Sequence, residues 1–423
     1  MSVAPRIGVP PLAGLCSLTE GARIGYSVDE SVERLLRCHW IEKRLAEICA
    51  ARIPSIPEWE VKGAFSLHQW LDIEHADMLR RRIREMRHPM PRVDVPPNDA
   101  VEAELRPLTE ATSALELLRA LLSVRTSLLN AYRDHYERSN PVVDHPTRRI
   151  LRFIILEEEE TVAWTHSAVA GLSEHAPAGN LPTAEHPFEP RRDGRFRESY
   201  NFNFPPHNIK PLTYVPVEER NLALLCKRLL EMDVPEMMAS IVSERTDQPW
   251  EFQLDYRRQL WDEARHSMMG EIAFEHRGID WTRIPLNVGF ALRLNLFATP
   301  QERQLLLYSI EQSLMPAETG KRYEYDIALE AGDQLSAYFQ DFDWADEVLH
   351  AQIGRRWLKA DSLHGNDVLE RGAAVHEKTW AALEPYRERH PQRDWWTEFV
   401  QQVLGQPSRA RPEDLVETKV VEE

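Results

Sequence analysis

Apolar residues recur at three- and four-residue spacing along most of the chain, the period of an α-helix with one buried face. The pattern starts at VERLLRCHWIEKRLAEICAARI, behind the N-capping candidates Ser27 and Asp29. Pro54 and Pro57 end that helix and open the next, EWEVKGAFSLHQWLDIEHADMLRRRIREM, which a Pro-rich stretch at 89–97 closes. Two further amphipathic helices are predicted at 108–138 and 145–172, split by SNPVVDHP. From 173 to 217 the period disappears and prolines crowd in, as in a linker or a strap laid over a surface. Helical period returns near Glu218 and holds to about Trp396. No series of alternating, β-branched strands interrupts it. The expected fold is all-α.

The two helical blocks share a pattern. At one constant offset Trp59 falls on Trp250, Glu60 on Glu251, Trp70 on Trp261, Asp72 on Glu263, His75 on His266 and Met78 on Met269. Upstream, after a two-residue loop difference, Glu42 meets Glu231 and Glu47 meets Glu236. Joint agreement of tryptophans, carboxylates and histidine points to an internal duplication. The expected organisation is an N-terminal arm at 1–28, a four-helix block at 29–172, the strap at 173–217, a second block at 218–400 and a polar, disordered tail at 401–423. Tyr200, Phe202, Phe204 and Tyr214 are expected to lay the strap across the helices as the roof of a substrate entrance, a flexible tether being the alternative.

Composition narrows the partners. The chain has 423 residues, enough for two or three domains. Its 51 Lys and Arg against 68 Asp and Glu give a net charge of -17, which repels phosphate backbones and argues against nucleic acid. Four cysteines without a CxxC pair fit a reducing cytoplasm. No signal peptide and no apolar run of about 18 residues is evident, so no membrane association is expected.

The candidate chemistry sits in the second block. QLWDEARHSMMGE places Glu263 three residues before His266, and DWADEVLHAQIGRRWL places Glu347 three before His350. Side chains at i and i+3 share a helix face. A dimetal site in a helical bundle takes two such pairs plus one carboxylate from each remaining helix. Glu311 lies among apolar neighbours, where an uncompensated carboxylate is costly. The first helix offers Glu231 or Glu236, five residues apart; at about 1.5 Å rise per residue Glu231 matches the height of Glu263 better. The proposed set is Glu231, Glu263, His266, Glu311, Glu347 and His350, with Glu236 as the alternative to Glu231. Such mixed oxygen and nitrogen donors suit iron or manganese, with too few nitrogens for copper and no thiolate for zinc. Helix-surface pairs that bind nothing are the competing explanation. Arg265 and Asp346 are expected to support the ligands. His39, His68 and His135 are expected to be interhelical hydrogen-bond partners, and Tyr308 and Tyr338, placed near the site by helix count, to pack.

This set, in this order and spacing, resembles the ferritin-like di-iron carboxylate superfamily. AGDQLSAYFQDFDWADEVLHAQIGRRWL together with WDEARH is similar to an uncharacterised branch of it. The likeness covers about 218–360 well and 30–172 less closely. It implies two tandem ferritin-like four-helix bundles, a carboxylate-bridged centre of two iron ions (or manganese and iron), and chemistry on O2. The expected function is a cytoplasmic non-haem oxygenase or oxidase of a small-molecule substrate. An iron-binding or storage protein, and a metal-free helical interaction module with fossil ligands, are the alternatives. The first block keeps Glu42, Asp72 and His75 as a weak second site. There, Glu158 is followed three residues later by Thr161 where the superfamily would have histidine, and Glu116 is the third helix's only carboxylate on its apolar face. That block is expected to be structural, serving dimerisation or the shaping of a substrate site, so a homodimer is one expectation.

Overall fold

The computed structural model describes residues 8–175, 180–181, 188–200, 209–360, 366–390 and 394–415. The described chain is all-α apart from two two-residue strands, β1 (Glu198–Ser199) and β2 (Leu286–Asn287), which pair in parallel. No helix among the described residues is long and apolar enough to cross a membrane.

Capping sets the helix starts. Ser17 and Glu20 form a reciprocal capping box on α1 (Leu18–Gly21), within the arm expected to be irregular. Ser27 and Glu30 repeat it on α2 (Val28–Arg52): the Glu30 carboxylate accepts from the Ser27 amide at 2.8 Å and Ser27 Oγ from the Glu30 amide at 3.3 Å. After α3 (Trp59–Met86) comes α4 (Asp99–Glu110), most of which lies ahead of the helix predicted at 108–138; that helix begins only at Ala114, as α5 (Ala114–Arg138). Ser113 Oγ accepts from the Glu116 amide, and the Glu116 carboxylate accepts from the Thr112 amide at 2.9 Å. Glu116 is thus an exposed capping residue and takes no place in the core. The helix α6 (His145–Ser173) follows.

The chain forms two compact units, Met1–Ile48 with Leu71–Asn180, and Cys49–Trp70 with Leu181–Glu423. The first boundary therefore differs from the expected one: 49–70 belongs with the C-terminal part. The reason is chemical. Lys62 pairs with Glu236 at 2.7 Å, Trp59 donates to Glu271 at 2.7 Å, and Gln69 exchanges hydrogen bonds with Arg257 at 3.0 Å. The described part of the strap is tied to the same segment, with the Arg191 and Asp193 amides donating to the carbonyls of Pro54 and Pro57. Tyr200 stacks on His390, while Tyr214 is half exposed; Phe202 and Phe204 lie outside the described residues.

The second unit contains α7 (Val217–Leu230), α8 (Asp233–Glu244), α9 (Trp250–Glu275), α10 (Gly289–Phe297), α11 (Pro300–Ser313), α12 (Lys321–Glu330), α13 (Gln334–Ala360), α14 (Asn366–Arg389) and α15 (Trp396–Leu404). Helix α8 packs on α9, α9 on α13, α13 on α11 and α11 on α8, which closes a ring of four; α12 lies against α7 and α13. At one end a core of Trp59, Phe196, Trp281, Phe274 and Trp396 is assembled, with the first three rings 5.5–5.6 Å apart. The tail expected to be disordered from 401 is structured to Leu415. Glu219 is the cause: it accepts from Trp396 Nε1, Ser408 Oγ and the Arg409 amide, and Leu415 is buried beyond them. Residues 416–423 lie outside the described residues.

Candidate metal centre

Three helices of the ring, α9, α11 and α13, deliver five of the predicted residues, and the sixth comes from the break ahead of α8. Helix α7 stops at Leu230, and Glu231 caps its C-terminus before α8 restarts at Asp233. Pro235 falls in the first turn of α8, where a missing N–H costs nothing. Glu263 and His266 project from α9, Glu311 from the last turn of α11, and Glu347 and His350 from α13. Glu236 is elsewhere: fully buried, it is held by Lys62 at 2.7 Å and Arg192 at 2.5 Å.

Three overlapping groups of ligand atoms result, each with its members within 4.8 Å of one another: Glu263, Glu311, Glu347 and His350; Glu231, Glu263 and His266; and His266, Asp343 and Glu347. Glu263 serves the first two, with Oε1 3.1 Å from His350 Nδ1 and Oε2 3.4 Å from His266 Nδ1. Around the same histidines Glu347 Oε2 lies 3.5 Å from His350 Nδ1 and Glu231 Oε2 3.7 Å from His266 Nδ1. The two rings are 5.9 Å apart. Both Nδ1 atoms, Glu231 Oε2 and Glu347 Oε2 are buried without a hydrogen-bond partner. Orphaned buried polar atoms are costly, and four of them facing one another fit the donor set of a metal ion.

The outward side of each histidine meets an aspartate. His266 Nε2 lies 3.1 Å from Asp346, and His350 Nε2 lies 3.5 Å from Asp262, too long for a well-formed hydrogen bond. The aspartate of each DExxH segment therefore faces the histidine of the other. Arg265 bridges both aspartates. With His266 Nε2 engaged by Asp346, its Nδ1 is the nitrogen turned to the ligand carboxylates.

Three buried groups that the spacing argument missed share the site. Asp343 stands 3.3 Å from His266 Nδ1. Lys321 Nζ is 2.8 Å from both Asp343 and Glu347, and Arg228 pairs with Glu231 at 2.6 Å and with Asp343. The electrostatics divide accordingly. Burial alone would raise the Glu347 carboxyl, but the Lys321 charge together with the bonds to Glu311 and His350 holds Glu347 well below the usual range. Burial and the neighbouring Glu347 charge push Glu311 well up. Burial acts to lower His266, yet Asp343 and the bond to Asp346 prevail and raise it to about 10.

The chain matches no family model, no curated protein and no solved structure.

The first unit builds a smaller version of the cluster from Glu42, Asp72, His75 and Glu158. His75 Nδ1 lies 3.3 Å from Glu42 and its Nε2 2.7 Å from Glu157. At its centre is Arg125 from α5, fully buried, 2.8 Å from Asp72 and 2.9 Å from Glu158. Tyr132 donates to Glu42 at 2.6 Å. Thr161 spends its hydroxyl on the Glu157 carbonyl at 3.0 Å. His39 meets the Ala76 carbonyl at 2.9 Å, as an interhelical partner should. Tyr338 is 59% exposed, away from the buried ligands, and Tyr308 packs against Gly354, so neither reaches the ligand atoms.

Proposed function

We propose that the second unit is a ferritin-like bundle with a carboxylate–imidazole metal centre, and that the protein is a non-haem oxidoreductase acting with O2 on a small organic substrate. The first unit is then a degenerate tandem copy. The observation that carries this is the pair of fully buried histidines, each turning an unpartnered Nδ1 to a shared carboxylate and its other nitrogen to an aspartate. Histidines that merely filled a core would be expected to satisfy both nitrogens or face apolar neighbours. Bound iron, or manganese with iron, would supply the redox chemistry toward O2. The protein's own part is to orient the histidines through Asp262 and Asp346, to steady Glu311 through the Gln259 amide at 3.1 Å, and to exclude water by burial. Glu231, Glu263, His266, Glu311, Glu347 and His350 would hold the metal.

A metal-free helical module is the second reading, favoured by the buried ion pairs of Lys321 and Arg228. Metal analysis of the purified, reconstituted protein separates them. Stoichiometric iron or manganese that disappears in His350→Ala supports the oxidoreductase, none supports the module, and many ions per chain support storage.

A further inference from the structure

The two halves of the centre are neutralised differently. Around His350, Glu263 and Glu311 meet no lysine or arginine among the described residues; the only donor to Glu311 besides its acidic neighbours is the neutral Gln259 amide at 3.1 Å. Around His266, Glu231, Asp343 and Glu347 are already paired with cations. Glu231 Oε1 is 2.6 Å from Arg228, and Glu347 Oε1 is 2.8 Å from Lys321. Asp343 is shared by both cations, with its oxygens 2.9 and 2.8 Å from Lys321 Nζ. The three N–H bonds of an ammonium are thereby matched by three carboxylate oxygens, a coordination a small cation would otherwise take.

The backbone is shaped to deliver that ammonium. Lys321 opens α12 directly after Gly320, and a Cβ at Gly320 would fall 2.0 Å from the Leu314 carbonyl. The turn closes with the Lys321 amide donating to that carbonyl at 3.0 Å. Only glycine allows the approach, and the approach puts a fully buried lysine against Glu347 and Asp343.

We infer that the centre is unequal: the position at Glu263, Glu311, Glu347 and His350 takes one divalent cation tightly, and Lys321, backed by Arg228, stands in for the second cation beside His266. This rests on the metal reading above and deepens it. Glu347 supports the division directly, since one oxygen faces Lys321 while the other, unpartnered, faces His350. A second divalent ion at Glu231, Glu263 and His266 would have to displace Arg228 from Glu231, and one drawn to Asp343 would have to displace Lys321 as well.

The test is titration of stripped full-length protein with Mn2+, read by calorimetry, elemental analysis and EPR. Wild type should take one equivalent tightly, with the signal of an isolated ion. His350→Ala should weaken that binding by roughly 100-fold, as loss of a ligand does at least as much as loss of its support, while His266→Ala should leave it within about threefold. Lys321→Met should gain a second equivalent, and Lys321→Arg should not. Two equivalents of matched affinity in wild type would overturn the inference and leave the metal reading intact, as would dependence on His266 in place of His350, or a Lys321→Met protein that still binds one. If Lys321→Met does not fold, the contrast between the two histidine variants decides alone. No Mn2+ binding in any variant overturns the metal reading and this inference with it.

Discussion

The two buried clusters are made to one plan and differ in what neutralises them. Glu42, Asp72 and His75 in the first unit occupy the repeat positions of Glu231, Glu263 and His266 in the second. The outer histidine nitrogen meets an acid in each case, Glu157 or Asp346, and the next residue, Glu158 or Glu347, points into the cluster. The departures are Thr161 three residues after Glu158, where the second unit has His350 three after Glu347, and a buried Arg125 among the acids. With Arg125 in the middle, the first cluster closes on itself: its acids have a permanent cation and its chain has lost the second imidazole. The second cluster retains unpartnered atoms at both histidines, and only its His266 end also holds the cations Lys321 and Arg228. A buried acidic site can thus be completed by a guanidinium, an ammonium or an added ion, and the choice is made by one or two side chains. Arg125 and Lys321 make it here.

The largest effect should come from removing the internal cation of the first unit. Arg125→Met leaves Asp72 and Glu158 buried without compensation and should cost about 3–5 kcal/mol of that unit's stability. Urea unfolding of wild type and variant measures it; an unchanged midpoint would mean the cluster relaxes by protonation instead. Next, saturating metal should stabilise the second unit alone. At about 100 times the dissociation constant the gain is roughly 2.7 kcal/mol, and hydrogen exchange should show it in α9 and α13 but not in α5 or α6. Asp262→Asn keeps every ligand yet removes the anion behind His350, so metal affinity should fall by about 10–100-fold; competition with a chelator reports the shift. The smallest expected effect is the sharpest test of the contrast. His75→Ala should leave metal content unchanged, and any loss matching that of His350→Ala would place a working metal in the first unit as well.

Much of this was legible in the chain because helical period and i, i+3 spacing carry over directly into helix faces. Glu231, Glu263, His266, Glu311, Glu347 and His350 converge because the i, i+3 pairs of α9 and α13 meet Glu311 on α11 and Glu231 at the break between α7 and α8. Asp346 was expected as a support but Asp262 was missed, although both segments read DExxH: its partner is the histidine of the opposite helix, and pairing across helices has no signal in local spacing. Lys321 and Arg228 were hidden for a different reason. Each looks like an ordinary charged residue at a helix end, and only the tight turn at Gly320 and the break at Glu231 turn them inward. The later start of the helix predicted at 108–138 follows from capping by Ser113 and Glu116, polar residues that amphipathic period does not weigh. The assignment of 49–70 to the second unit depends on Lys62, Gln69 and Trp59, whose partners lie far along the chain.

That assignment bears on how the protein can be taken apart. The strap at 173–217 looks like the natural place to cut, yet a fragment beginning at Leu181 would leave behind Trp59, Lys62 and Gln69. Glu236 would keep Arg192 but lose its lysine, Glu271 would lose its indole donor, and the cluster of Trp59, Phe196 and Trp281 would be left with a vacancy. Anyone wishing to study the second unit in isolation should graft 49–70 back, by a circularly permuted gene or by co-expressing the N-terminal piece, before concluding that a silent fragment means an inactive site.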